Sequence, residues 1–130
     1  MNIRIGSVTA GDEGEYIGRA FHSREASPLA NPFPITKQQD RDTAIRKYRV
    51  WLYEKIKRAD DAVLTELGRL LAIAQKPGGL TLVCWCRSVE QTAPECHGDV
   101  IKAALEWIAQ DPVAVAAVEM GAAIRNLGLG

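Results

Sequence analysis

Cys84-Trp85-Cys86 and Cys96-His97-Gly98-Asp99, nine residues apart, hold all three cysteines and one of the two histidines of this 130-residue chain. Thiolates and imidazoles ligate soft metals, attack electrophilic carbon and move protons near neutral pH. Side chains alternate along a strand, so Cys84 and Cys86 share one face and Trp85 takes the other. Cys86 then falls at the carboxyl end of a strand, and Cys96 and His97 fall at the start of the next helix. Free backbone N–H groups and the positive end of the dipole at that start attract anions and lower a thiol pKa.

Several kinds of chemistry fit these residues. In the first, the turn from Cys96 to Asp99 cradles a phosphate or carboxylate, Gly98 lets the backbone approach the ligand, and His97 donates a hydrogen bond or shuttles a proton. In the second, Cys84, Cys86, Cys96 and His97 form a Cys₃His zinc set, although a Cys-x-Cys pair is tighter than the spacing usual in structural zinc sites. The plain alternative is that the cysteines are small buried hydrophobes and His97 a capping or surface residue. Cys96 as a nucleophile is a narrower idea, because adjacent helical residues do not face one another and His97 is a poor base for it. Asp99 is either an acid/base group or a first-turn carboxylate that stabilises the helix by about 0.3–1 kcal/mol.

Two residues upstream supply polar groups. Tyr16-Ile17-Gly18-Arg19 reads as an extended piece delivering Arg19 at its end, where a guanidinium fork suits phosphate or carboxylate. A solvated surface arginine is the competing reading. Ser27-Pro28-Leu29-Ala30-Asn31-Pro32-Phe33 is stiffened by proline, which would hold Asn31 in one orientation; an Asx turn is the simpler role. Phe33 suits the core better than a ligand stack, and Arg41 and Arg46 are expected on a solvated helical face.

These residues need elements to place them. Ile3 to Val8 alternate as a short strand with Ile3 and Ile5 inward, and Glu15 to Arg19 form a second extended piece. A rigid loop of about fifteen residues follows, long enough to suggest a binding role. Asp40 is expected to cap a helix over about 40–58 that buries Ala44, Ile45, Tyr48, Trp51, Leu52 and Ile56. Asp60 or Asp61 starts a second helix with Val63, Leu64, Leu67, Leu70, Leu71 and Ala74 inward, closed by Lys76-Pro77-Gly78-Gly79. Leu80 to Cys86 is apolar and β-branched enough for a central strand covered on both faces. His97 to Ala109 places Val100, Ile101, Ala104, Leu105 and Ile108 on one helical face, and the alanine-rich tail from 113 to 127 suits a last helix. Strand, helices, strand, helix predicts an α/β fold with a small, mostly parallel sheet flanked by helices in a single three-layer domain spanning 1–130. Such sheets bind ligands beyond the carboxyl ends of their strands.

The bulk properties narrow the partners. Sixteen basic residues balance sixteen acidic ones, which removes the broad positive surface that duplex binding requires and leaves no extended nucleic-acid face to be expected. Three cysteines are too few and of the wrong parity for a secreted disulfide framework. The amino terminus shows no charged region followed by a long apolar run, and no window reaches the length of a membrane span. A cytoplasmic protein is the expectation, with no membrane partner.

Taken together in their order, Tyr16-Ile17-Gly18-Arg19, Leu29-Ala30-Asn31-Pro32-Phe33, the Ala44 to Leu52 helix and Cys84-Trp85-Cys86 with Cys96-His97-Gly98-Asp99-Val100-Ile101 resemble the small bacterial and phage family called domain of unknown function 4326. The resemblance runs from about residue 15 to 109. It implies a compact α/β domain and carries no established activity. The family's pattern sets the two cysteine motifs closer together than the loop from Arg87 to Glu95 does here. The expected activity is binding, with or without turnover, of a small phosphorylated or nucleotide-like ligand. Arg19, Asn31, Cys86 and Gly98 would hold it, and His97, Asp99 and Cys96 would supply chemistry without a cofactor. The alternative is a zinc-stabilised interaction module.

Overall fold

The computed structural model describes residues 1–20, 23–33, 41–84 and 96–118. Three strands, β1 (Ile3–Ser7), β2 (Glu15–Tyr16) and β3 (Leu80–Cys84), and three helices, α1 (Arg41–Lys57), α2 (Asp61–Ala74) and α3 (His97–Gln110), follow in the order β1-β2-α1-α2-β3-α3. Residues 112–118 are helical as well. The expected α/β class is present, and both strand pairings are parallel, in the spatial order β1-β3-β2.

Parallel pairing puts partners on the same face. Ile5 opposite Leu82, with Ile3 opposite Leu80, therefore forms one apolar surface in the middle of the sheet. Helix α3 lies on it, with Gly98 packed against the side chains of Ile5 and Ile17. Helix α2 packs beside α3 and reaches β3, and α1 packs on both helices. Arg69 of α2 also pairs with Glu15 of β2 at 3.0 Å. The core is continuous from Leu80 and Leu82 through Leu67, Leu70, Ile101, Leu105 and Ile108 to Tyr48 and Leu52. Leu64, Leu67, Val83, Ile101 and Leu105, all expected in the core, are buried.

The opposite face of the sheet is covered differently. The seven residues between β1 and β2 cross β3, with Asp12 against Gly6, and Gly14 so close to the Thr81 carbonyl that a side chain there would collide with it. Asp12 Oδ2 accepts the Ser7 amide at 2.8 Å and locks this crossing. It explains a departure from the alternation expected in β1: Gly6 and Ser7 are both buried, because this loop covers the face that Gly6 presents.

The helices follow their sequence signals. Asp60 caps α2 by accepting the Val63 amide at 3.1 Å, and the chain leaves α2 at Gln75. Asp111 ends α3 and accepts the Val113 amide at 3.0 Å, so it also starts the tail helix. That helix seals α2, where Gly68 lies against Val118. Strand β2 is shorter than the piece expected from Glu15 to Arg19. Ile17 still donates to the Val83 carbonyl at 2.9 Å, but the Gly18 carbonyl accepts from Ser27 and the chain leaves the sheet. The expected cap at Asp40, the continuation of β3 to Cys86 and the tail beyond 118 lie outside the described residues.

Leu105 is fully buried between α3 and its neighbours. Leu105→Ala should lower the unfolding free energy by about 2–5 kcal/mol, from lost transfer energy plus a cavity. Urea denaturation measures this, and a negligible loss would contradict the packing of α3.

Candidate functional site

His97 is the first residue of α3 and is 2% exposed. Its Nε2 lies 2.8 Å from the Ile17 carbonyl oxygen. A carbonyl only accepts, so Nε2 carries the hydrogen and donates it. The ring stands edge-on to Tyr48 of α1, with centroids 5.3 Å apart. Tyr48 in turn donates its hydroxyl to the buried Leu29 carbonyl at 2.7 Å and stacks on Trp51. Two side chains thus join α3, the end of β2, α1 and the 27–33 loop. Burial lowers the pKa of His97, and the nearby Arg19 charge acts in the same direction. The hydrogen bond to Ile17 and the Cys96 and Asp99 groups oppose that shift.

Arg19 and Asn31, twelve residues apart, meet directly. Arg19 Nε donates to the Asn31 carbonyl at 2.7 Å, while the exposed guanidinium makes no other hydrogen bond among the described residues. The Arg19 carbonyl accepts the Tyr16 hydroxyl at 2.6 Å, so its backbone is held too. Asn31 is buried, and its Oδ1 accepts the Phe33 amide at 2.8 Å, an Asx turn. Its main-chain carbonyl fixes Arg19, and its side chain shapes the loop. Phe33 is half-buried against the core, as expected.

At the strand-to-helix junction, Cys84 and Cys96 are fully buried with their Sγ atoms 4.0 Å apart. Asp99 Oδ2 accepts the Cys96 amide at 2.8 Å, a capping arrangement that satisfies one of the donors at the start of α3. Gly98 faces the sheet: a Cβ there would stand 3.2 Å from Ile17 Cδ1 and 3.3 Å from Cys96 Sγ. Its lack of a side chain serves the close approach of α3 to the sheet. Among the described residues no group of three His, Cys, Asp or Glu side chains gathers as a metal set. Cys86 lies outside those residues. For His97 to join Cys84 and Cys96 in the arrangement described, Nδ1 would have to be the ligating atom, because Nε2 is engaged by Ile17.

No local signal marks Tyr48 as the link between loop and helix, since a tyrosine on an apolar stripe reads as core whether or not its hydroxyl is used. Arg41 is a correction. Expected on the solvated side of α1, it is 7% exposed. It stands three, four and seven positions before the buried Ala44, Ile45 and Tyr48 and so continues their stripe. The periodicity could have shown this, but arginine's usual exposure argued against it.

The described sheet is small and all-parallel, and Arg19, Asn31 and the start of α3 lie beyond the end of β2, which makes this an α/β domain. The sequence profile of the domain of unknown function (DUF4326) matches residues 3–107, and the chain belongs to that family. The match begins earlier than the resemblance at 15 and takes in β1. No curated protein and no solved structure matches the chain.

Two outcomes check the clamp. Native His97 resists protonation more than an unfolded histidine does, so its burial costs nothing above the ordinary value near 6.5. Stability should fall as pH drops below that value, until native His97 itself protonates. Thermal melts across that range measure this, and His97→Gln should flatten the dependence. Tyr48→Phe should cost about 1–3 kcal/mol in denaturant unfolding, because the buried Leu29 carbonyl loses its donor.

Proposed function

We propose that this domain binds a small phosphorylated or nucleotide-like ligand at the carboxyl edge of its sheet. The observation that carries this reading is Arg19, whose guanidinium is exposed and oriented by the Asn31 carbonyl through Nε alone. A guanidinium anchored this way presents its remaining donors as a preformed fork, which suits a phosphate or carboxylate. The ligand would sit outside the protein wall formed by the 27–33 loop, with the start of α3 behind it.

In this reading His97 and Asp99 have positioning roles. His97 fixes the Ile17 backbone two residues before Arg19, and Asp99 secures the helix start. Acid/base chemistry by either residue would require the buried ring or the capping carboxylate to become accessible on ligand binding. Cys96, buried beside Cys84, would likewise need opening before it could act as a nucleophile. The Sγ atoms of Cys84 and Cys96 stand 4.0 Å apart, too far for a disulfide between them, which suits a reducing, cytoplasmic setting. No described helix is long and apolar enough to cross a membrane.

The 4.0 Å approach of Cys84 and Cys96 supports a second reading, a zinc-stabilised interaction module in which Cys86 and His97 would complete the ligand set. Elemental analysis after dialysis separates the two: about one zinc per chain would favour the module.

A thermal-shift screen of nucleotides, nucleotide sugars and sugar phosphates should find a stabilising compound. Arg19→Ala should then weaken its binding by about 1.5–3 kcal/mol in calorimetry while the protein stays folded. A screen without any shift, or a shift that Arg19→Ala leaves intact, would remove the reading.

A further inference from the structure

The chain is neutral overall, yet its charge is not evenly spread. Helix α1 carries Arg41, Arg46, Lys47, Arg49, Lys55 and Lys57 against Asp42 and Glu54 alone. Part of this excess lines a groove of about 660 Å³ along the helix. Phe33 stands at one side, and Arg46, Lys47, Trp51, Lys55 and Arg58 recur along it at helical spacing. Among the described residues of the lining, Glu54 is the one carboxylate against four cations; it lies 3.6 Å from Arg58, and Lys55 lies 3.7 Å from Asp60, so Arg46 and Lys47 carry most of the excess charge.

The groove combines cations with apolar surface. Val50, 65% exposed, and the half-buried Trp51 form its middle, with Arg46 and Lys47 one turn before them and Lys55 and Arg58 beyond. Each ring has an ammonium close by: Lys47 Nζ is 6.0 Å from the Phe33 centroid, and Lys55 Nζ is 5.9 Å from that of Trp51. Tyr48 already stacks on Trp51, so a flat base takes the remaining face of the indole, and the flexible lysine ammoniums over the rings swing aside to meet its phosphates. From Thr43 to Arg58 the groove runs about 22 Å at the rise of an α-helix, which matches the short end of the footprints of about 4–16 nucleotides seen for single-strand binders.

We infer that this α1 groove binds single-stranded nucleic acid, with Phe33 and Trp51 as stacking surfaces and Arg46, Lys47, Lys55 and Arg58 along the phosphates. An acidic peptide would use the cations and leave the rings idle, and a duplex would need a wider positive face than one helix provides. Stacking on the rings and pairing with phosphates do not depend on the sugar, so DNA and RNA strands should bind alike. This site is separate from Arg19 and does not depend on the ligand proposed there.

Fluorescence anisotropy with a labelled twelve-residue oligothymidylate and the full chain tests the inference. At low salt, binding should saturate and quench tryptophan emission. Its affinity should fall with salt at a slope near −3, as roughly four phosphate contacts on a single strand would give. The double variant Arg46→Ala/Arg58→Ala, both exposed positions, should bind at least about tenfold more weakly with an unchanged circular dichroism spectrum. Oligouridylate should compete like oligothymidylate, and a twelve-residue polyglutamate should not. Absence of saturable binding, a salt-independent affinity, an unaffected double variant or equal competition by polyglutamate would each overturn the inference.

Discussion

The hydrogen bond from His97 Nε2 to the Ile17 carbonyl spans eighty positions of sequence and closes the domain. Ile17 has just left the sheet, where its amide still pairs with Val83, and its carbonyl would otherwise be a buried acceptor without a partner. A neutral imidazole meets that need from the first turn of α3. The same ring supports Tyr48, whose hydroxyl satisfies the Leu29 carbonyl. Backbone that leaves a small sheet early must find donors elsewhere, and here two aromatic side chains provide them.

The position of Arg19 depends on this closure. Ile17 fixes the chain on one side of it, the Tyr16 hydroxyl holds its own carbonyl, and Asn31 holds its Nε. The 27–33 loop is itself held by the Tyr48 bond and by the turn that Asn31 makes to Phe33. An exposed arginine on an unsupported loop would lose rotamer entropy on meeting a ligand. One already fixed loses less, which makes this arginine more useful for recognition than its exposure alone suggests.

Glycine and cysteine at the start of α3 serve packing in the same way. Gly98 and the thiol of Cys96 are small enough to bring the helix within van der Waals reach of Ile5 and Ile17. Close approach tightens the core of a domain whose sheet has three strands among the described residues. A motif of chemically reactive residue types is therefore largely turned inward in this structure, and the polar groups that face outward lie on the neighbouring loop and on α1.

Much of the fold was legible in the residues themselves. Alternation marked β1, an apolar, β-branched run marked β3, apolar spacing marked α1, α2 and α3 to within a residue or two, and Asp60 or Asp61 marked the start of α2, because these signals are local and act through neighbouring backbone groups. The order of motifs also indicated the family. The partners of polar atoms were decided only by the tertiary structure. His97, Asn31 and Asp99 were candidates for ligand chemistry by type, yet each has a partner within the protein. Arg41 was expected in water and is buried. A side chain's type states what it can donate or accept, but whether it meets a ligand or a buried carbonyl depends on where distant segments end. The β2 exit, the 27–33 loop and the start of α3 come together only when the chain folds.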